Sequence, residues 1–150
     1  MTQDLGARKR LTWPQTGIVL AHQIAYCRSE DIYLQVGAFA KKKDGSVILG
    51  YNGGVSGVPM DWTDRDERRK RVLHAESNVL NFCLPNQVEF LAVTHLPCSE
   101  CLKVIAQKQI RMVYYSNIPE NCDFELTFKL AVEFGIKLEN LPLDSIPKLV

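Results

Sequence analysis

From residue 35 onward, short β-branched runs alternate with segments patterned for helix, and that alternation narrows the folds open to the chain more than anything else in it. Residues 35–40 and 46–51 read as strands joined by KKKDG, whose Asp44-Gly45 step suits a tight turn, so the two should pair antiparallel. Further strands are expected at 88–94, 111–116 and 136–141, and helices at 73–82, 97–108 and 123–134, the last stopped by Gly135. Ahead of the hairpin, Ile18, Val19, Ala21, Ile24 and Ala25 put an apolar stripe on a helix over 13–27. The expected fold class is α/β: a three-layer α/β/α sandwich around a mixed, mostly five-stranded sheet. No linker or repeat divides the chain, so residues 1–150 are read as one domain with 1–12 as an N-terminal arm.

Composition excludes several classes of partner. Lys and Arg number 18 against 17 Asp and Glu, and a net charge of +1 gives no electrostatic reason to bind nucleic acid or an anionic membrane. No apolar run approaches the roughly 20 residues that cross a bilayer, and MTQDLGARKRLTW lacks the apolar core of a secretory signal, so a cytoplasmic location is the default. The 5 cysteines do not form a disulfide framework: Cys98 and Cys101 make a C-x-x-C pair, while Cys27, Cys83 and Cys122 are scattered and read as small buried hydrophobes. Residues 50–59, GYNGGVSGVP, are too rich in glycine for an element interior and form a loop whose backbone can approach a ligand closely. The segment 61–71 is dense in both signs of charge and is read as a solvated turn without chemistry.

Two segments carry the chemistry, LHAESNVL at 73–80 and LPCSECLKVI at 96–105, each at an expected helix start. Cys98 and Cys101, three apart in a first turn, would present both sulfurs on one face, where the positive end of the helix favours thiolates. With the imidazole of His74 they make a Cys2His set, and three protein ligands leave one tetrahedral position of zinc open, the mark of a catalytic site. Glu76, two residues on, can reach a water there without ligating the metal. Zinc brings the pKa of water from near 16 to roughly 7, and a carboxylate beside the resulting hydroxide can accept its proton and return it to a substrate amine.

The order H-x-E then P-C-x-x-C is the signature of the zinc nucleobase deaminases, and the chain resembles them in it. A thioredoxin-like redox pair would leave His74 and Glu76 unexplained, and a non-catalytic deaminase-like zinc scaffold would have no use for an unliganded carboxylate. His22 and His95 are read as satisfied packing residues, His95 being the better candidate for another role. Within that class the chain resembles the deoxycytidylate deaminase family over roughly residues 13–140, through RSEDIYLQVGA at 28–38, GYNGGVSG at 50–57, HAESN at 74–78 and PCSECLKVI at 97–105. Free cytidine deaminases typically have cysteine where His74 stands.

The resemblance implies hydrolytic deamination of dCMP to dUMP and ammonia, with His74, Cys98 and Cys101 as ligands of one Zn2+ per chain and Glu76 as proton shuttle. It implies Asn52 as a contact to the nucleotide, with Asn78 and Tyr115 as further candidates; Asn52-Gly53 is equally well read as a turn. For the 5'-phosphate, Arg28, Ser29 or the lysines 41–43 are candidates that spacing does not separate. It also implies a homo-oligomer with dCTP and dTTP as effectors, Mg2+ accompanying the triphosphate. Ile32, Tyr33 and Leu34 depart from the family's pattern, and 61–71 lacks the Cys or His of a second zinc. The alternative reading is a related deaminase acting on guanine, a nucleoside or tRNA adenosine.

Overall fold

In the computed structural model, which describes residues 9–148, helix α1 (Trp13–Arg28) opens on a reciprocal cap. The Thr12 hydroxyl accepts from the Gln15 amide at 3.2 Å, and the Gln15 side chain accepts from the Thr12 amide at 3.0 Å. Of the arm expected at 1–12, residues 1–8 lie outside the described residues, while Leu11 packs against the core. Strands β1 (Gly37–Lys42) and β2 (Val47–Tyr51) form the expected antiparallel hairpin. Gly45 takes φ 91° in its turn, and the Asp44 carboxylate accepts from the Ser46 amide at 2.9 Å. β1 begins later than residue 35 because the amides of Tyr33, Leu34 and Val36 donate to the side chains of Asp31 and Asn52 instead of to a ladder.

The rest follows the alternation: α2 (Arg65–Arg69), α3 (Ala75–Leu80), β3 (Val88–His95), α4 (Ser99–Gln107), β4 (Met112–Asn117), α5 (Phe124–Phe134) and β5 (Lys137–Asn140). The sheet order is β2-β1-β3-β4-β5, with β3, β4 and β5 parallel through the crossover helices α4 and α5, and β1 antiparallel to β3. The sheet is therefore mixed and five-stranded, as expected. Asp123 caps α5, and Gly135 ends it in the left-handed conformation at φ 71°. A 3-10 turn at Leu143–Ser145, for which the sequence carried no signal, lets Ile146 pack back under α1.

Strand pleating sorts the side chains into two cores. Phe39, Phe90 and Ala92 point toward α1 and meet Ile18 and Ala21, while Ala38, Ala40, Leu91, Val93 and Val113 point the other way and meet Val79, Leu102, Ile105 and Ala131 of α3, α4 and α5. The three layers follow from this division. Among the described residues, no helix is long and apolar enough to cross a membrane.

Two readings of the sequence need correction. Of the scattered cysteines only Cys83 is buried; Cys122 is half-buried and Cys27, at the last turn of α1, is exposed. The charged segment 61–71 is solvated only in part: Glu67 pairs with Arg71 at 2.5 Å at the surface, but Arg68 is buried against Asp31. Charge density alone could not separate the one inward arginine from its neighbours.

Gly37 marks a tight contact between α1 and the sheet. A methyl group there would overlap the Ala21 carbonyl of α1 and stand 3.1 Å from the Ala25 methyl, and neither the helix backbone nor the strand can yield cheaply. Gly37→Ala is expected to cost about 3 kcal/mol and to lower Tm by roughly 6–12 °C, measured by thermal unfolding of the metal-loaded protein.

Candidate active site

Two helix starts converge beyond the carboxyl end of β3, where open α/β sheets place their ligands. His74 is the N-cap of α3 but makes no side-chain cap bond, which leaves its ring free to turn toward α4. Leu73 is drawn off the helix by a bridge to the glycine loop, Gly53 donating to its carbonyl at 3.2 Å and accepting from its amide at 2.7 Å. That bridge is why the helix expected from 73 starts at Ala75. Cys98 is the N-cap of α4, its sulfur accepting from the Cys101 amide at 3.5 Å.

His74 Nδ1 lies 3.2 Å from Cys101 Sγ and 3.7 Å from Cys98 Sγ, and all three donor atoms fall within 4.8 Å of one another. Tetrahedral zinc, with bonds of about 2.3 Å to sulfur and about 2.0 Å to nitrogen, needs sulfur and nitrogen about 3.6 Å apart. The donors therefore sit at metal-site spacing, and their soft chemistry fits zinc. Among the described residues this is the single group of three such side chains.

Electrostatics supports the same reading. The Cys101 thiol, His74 and the Cys101 amide hold the Cys98 thiol down to about 4, which favours the thiolate form that a metal would bind. Cys101 is pushed well above the usual thiol range, first by that hydrogen bond to Cys98 and then by burial. His74 is raised, chiefly by its bond to Cys98. Glu76 is 4% exposed, faces the same cleft and has its pKa raised by burial. It stands beside the donors without belonging to them.

The cleft over these residues encloses about 250 Å³. Leu34, Val36, Val72, Leu96 and Pro119 form apolar walls, and Asn52, Arg68, Arg69 and His95 add polar groups. Asn52 lines it, but its amide is fully engaged within the protein. Oδ1 accepts from Ser29 Oγ at 2.6 Å and from the Val36 amide at 2.9 Å, while Nδ2 donates to the Leu34 carbonyl at 2.8 Å and to Asp31 at 3.3 Å.

The other candidates lie away from the cleft walls. Asn78 donates to the Tyr51 carbonyl at 2.7 Å, latching α3 to β2. Tyr115 is buried with its ring edge-on to Phe128 at 6.2 Å. Arg28 is exposed at the end of α1, and the lysines 41–43 sit at the far end of β1 and its turn, where Lys41 pairs with Glu89 and Lys43 with Asn86. Ser29 contributes through Asn52. The cleft residues that sequence reading did not single out are Arg68, Arg69, Val72, Leu96 and Pro119, and behind them Asp31; Leu96 and Asp31 fall inside quoted motifs, but no motif or spacing marked the others, and the fold alone brings 31 and 68 together.

The zinc-dependent deaminases are the class that this fold and donor set define. The chain matches the "Cytidine and deoxycytidylate deaminase zinc-binding region" over residues 11–117. Deoxycytidylate deaminase of Mus musculus is 31% identical over 147 residues, covering 85% of this chain and 82% of the relative. ComE operon protein 2 of Bacillus subtilis is 29% identical over 147 residues, covering 92% of this chain and 76% of the relative. The crystal structure of the dCMP deaminase from cyanophage S-TIM5, in complex with dCMP and dUMP, superposes with a TM-score of 0.65 at 29% identity, over 85% of this chain and 93% of that one. The chain belongs to the cytidine and deoxycytidylate deaminase family, and zinc is its cofactor.

His95 is more than a packing residue: it lines the cleft and its Nδ1 lies 2.8 Å from the Thr94 hydroxyl. Burial, with His22 nearby, lowers it from 6.5 to about 4. The folded chain thus holds this ring neutral while the unfolded chain would protonate it, so the contribution to stability is complete above pH 6.5 and is lost as pH falls toward about 4. His95→Gln should flatten the fall of Tm with pH in that window, compared with the parent in parallel melts.

Proposed function

We propose that this protein hydrolyses dCMP to dUMP and ammonia. The observation that carries the reading is Glu76: a carboxylate almost wholly buried in a small apolar-walled cleft, adjacent to a His/Cys/Cys donor set yet outside it. A structural metal site has no use for such a group, whereas hydrolytic deamination requires one. The likeness to a cyanophage enzyme crystallised with dCMP and dUMP supports the choice of base and of nucleotide.

His74, Cys98 and Cys101 would hold the zinc, which when bound supplies a Lewis acid able to bring the pKa of water from near 16 to about 7. Glu76 accepts a proton from the attacking water and delivers it to N3 of the pyrimidine as oxygen bonds to C4. It then passes the second proton to the exocyclic amine, so that the C4–N bond breaks and ammonia leaves. Leu34, Val36, Val72, Leu96 and Pro119 limit bulk water around the reacting carbon and give the ring an apolar slot. A cleft of about 250 Å³ suits one nucleotide better than a folded nucleic acid. Cytosolic action, assembly into a homo-oligomer and response to dCTP or dTTP with magnesium are parts of the same proposal that rest on the family likeness alone.

Glu76→Gln should keep zinc near one per chain by elemental analysis while losing about 10²–10⁴-fold in kcat on dCMP. Loss of metal together with activity would make Glu76 a structural group and remove the reading's support. A panel of dCMP, deoxycytidine, guanine and tRNA separates the alternatives: ammonia released from guanine or tRNA but not from dCMP would reassign the substrate.

A further inference from the structure

Few of the polar groups that line the cleft are free to meet a ligand. Asn52 has its amide fully engaged, Arg68 is paired with Asp31, Arg69 stands at the exposed rim, and His74, Glu76 and Cys98 belong to the reaction centre. His95 is what remains. Its Nε2 makes no hydrogen bond with any described residue, and it is not sealed away: among the described residues the single buried side-chain nitrogen or oxygen without a partner is Arg68 Nε. The two other histidines differ, since His22 directs Nε2 to the Ser116 hydroxyl at 3.1 Å and His74 Nδ1 faces the sulfurs.

The neighbours of His95 settle which nitrogen carries the proton. Thr94 is fully buried, and its Oγ1 accepts from the Gly37 amide at 3.1 Å. An amide N–H can only donate, so the hydroxyl's own hydrogen needs an acceptor elsewhere. The one other partner within reach among the described residues is His95 Nδ1, at 2.8 Å. Nδ1 therefore accepts, and the neutral ring carries its proton on Nε2. Burial favours that neutral form, lowering the ring from 6.5 to about 4. Thr94 is itself held in the sheet, its carbonyl accepting from the Asn117 side chain at 3.3 Å, so the backbone of β1, β3 and β4 fixes the orientation of the donor.

A pyrimidine nucleoside brings two kinds of uncharged oxygen into an apolar-walled cleft, the carbonyl of the base and the hydroxyl of the sugar. Either is destabilised when it leaves water without meeting a donor. A neutral N–H answers such an oxygen without placing a cation beside Glu76.

We propose that Thr94 locks His95 in the Nε2–H tautomer and that His95 is thereby a specificity-determining residue, donating to an uncharged oxygen of the bound nucleoside moiety. Thr94 is a positioning residue that acts through His95. The identity of the ligand rests on the function proposed above; the tautomer does not.

Heteronuclear NMR of the imidazole nitrogens in zinc-loaded, ligand-free protein at neutral pH reads the tautomer directly. His95 should be protonated on Nε2 and bare on Nδ1 in the parent and in Thr94→Ser, and Thr94→Val should shift the proton toward Nδ1. A parent ring protonated on Nδ1, or a Thr94→Val ring indistinguishable from the parent, overturns the proposal. The kcat/KM on dCMP should fall on the order of tenfold in His95→Phe, which keeps a ring but has no donor, and much less in His95→Gln, whose amide N–H reaches about as far as Nε2. A loss equal in the two variants, or absent from His95→Phe, overturns the donor role. Repeating the comparison with dideoxycytidylate, which lacks the sugar hydroxyl, as substrate or competitive inhibitor locates the acceptor: a penalty that persists assigns the base carbonyl, and one that vanishes assigns the sugar. If the parent shows the Nε2–H ring but does not deaminate dCMP, the tautomer stands and the substrate assignment falls.

Discussion

Everything functional in this fold depends on two side chains that occupy the residue before a helix and decline the usual work of that position. His74 and Cys98 are N-caps, yet His74 caps nothing and Cys98 offers only a long sulfur contact to the Cys101 amide. Their helices, α3 and α4, lie on the same face of the sheet, packed by Val79, Leu102 and Ile105 into one core. Because that core fixes where both helices begin, it also fixes the distance between imidazole and sulfurs. The metal site is in this sense a by-product of apolar packing, and the short rigid stem of each donor carries the precision of the core to the donor atom.

Much of this was legible in the chain. The alternation of strand and helix patterns revealed the sandwich, Asp44-Gly45 the hairpin, and Gly135 the end of α5, because each rests on a local rule of backbone geometry. The donor triad was legible for a different reason: the ligands' spacing within each motif is set by the first turn of a helix, and two motifs sufficed. Helix α3 was read too long at both ends, since a tertiary bridge from Gly53 captures Leu73 and no periodicity records that.

The cleft walls were not legible. Asp31 precedes the first strand in an ordinary-looking turn, and Arg68 sits in a run where arginine and glutamate alternate freely. Their meeting is a long-range event, decided by how the segment after the glycine loop comes to lie against residues 31–33. Asn52 shows the complementary case. The residue was singled out as a contact to the nucleotide; it does line the cleft, but its hydrogen bonds to 29–36 could be seen only once the loop and that segment were in place. Specific chemistry was encoded locally, whereas the support around it emerged from topology.

The bridge between Gly53 and Leu73 has a further consequence for how the cleft meets its ligand. A glycine-rich stretch would ordinarily sample many backbone states, and closing it around a small molecule would sacrifice that freedom at the moment of association. Here the loop is stitched on one side to the residue preceding His74 and on the other, through Asn52, to the backbone at 34–36. Its wandering is thus curtailed during folding, so the arriving molecule encounters a wall already at rest and retains more of its contact energy as affinity.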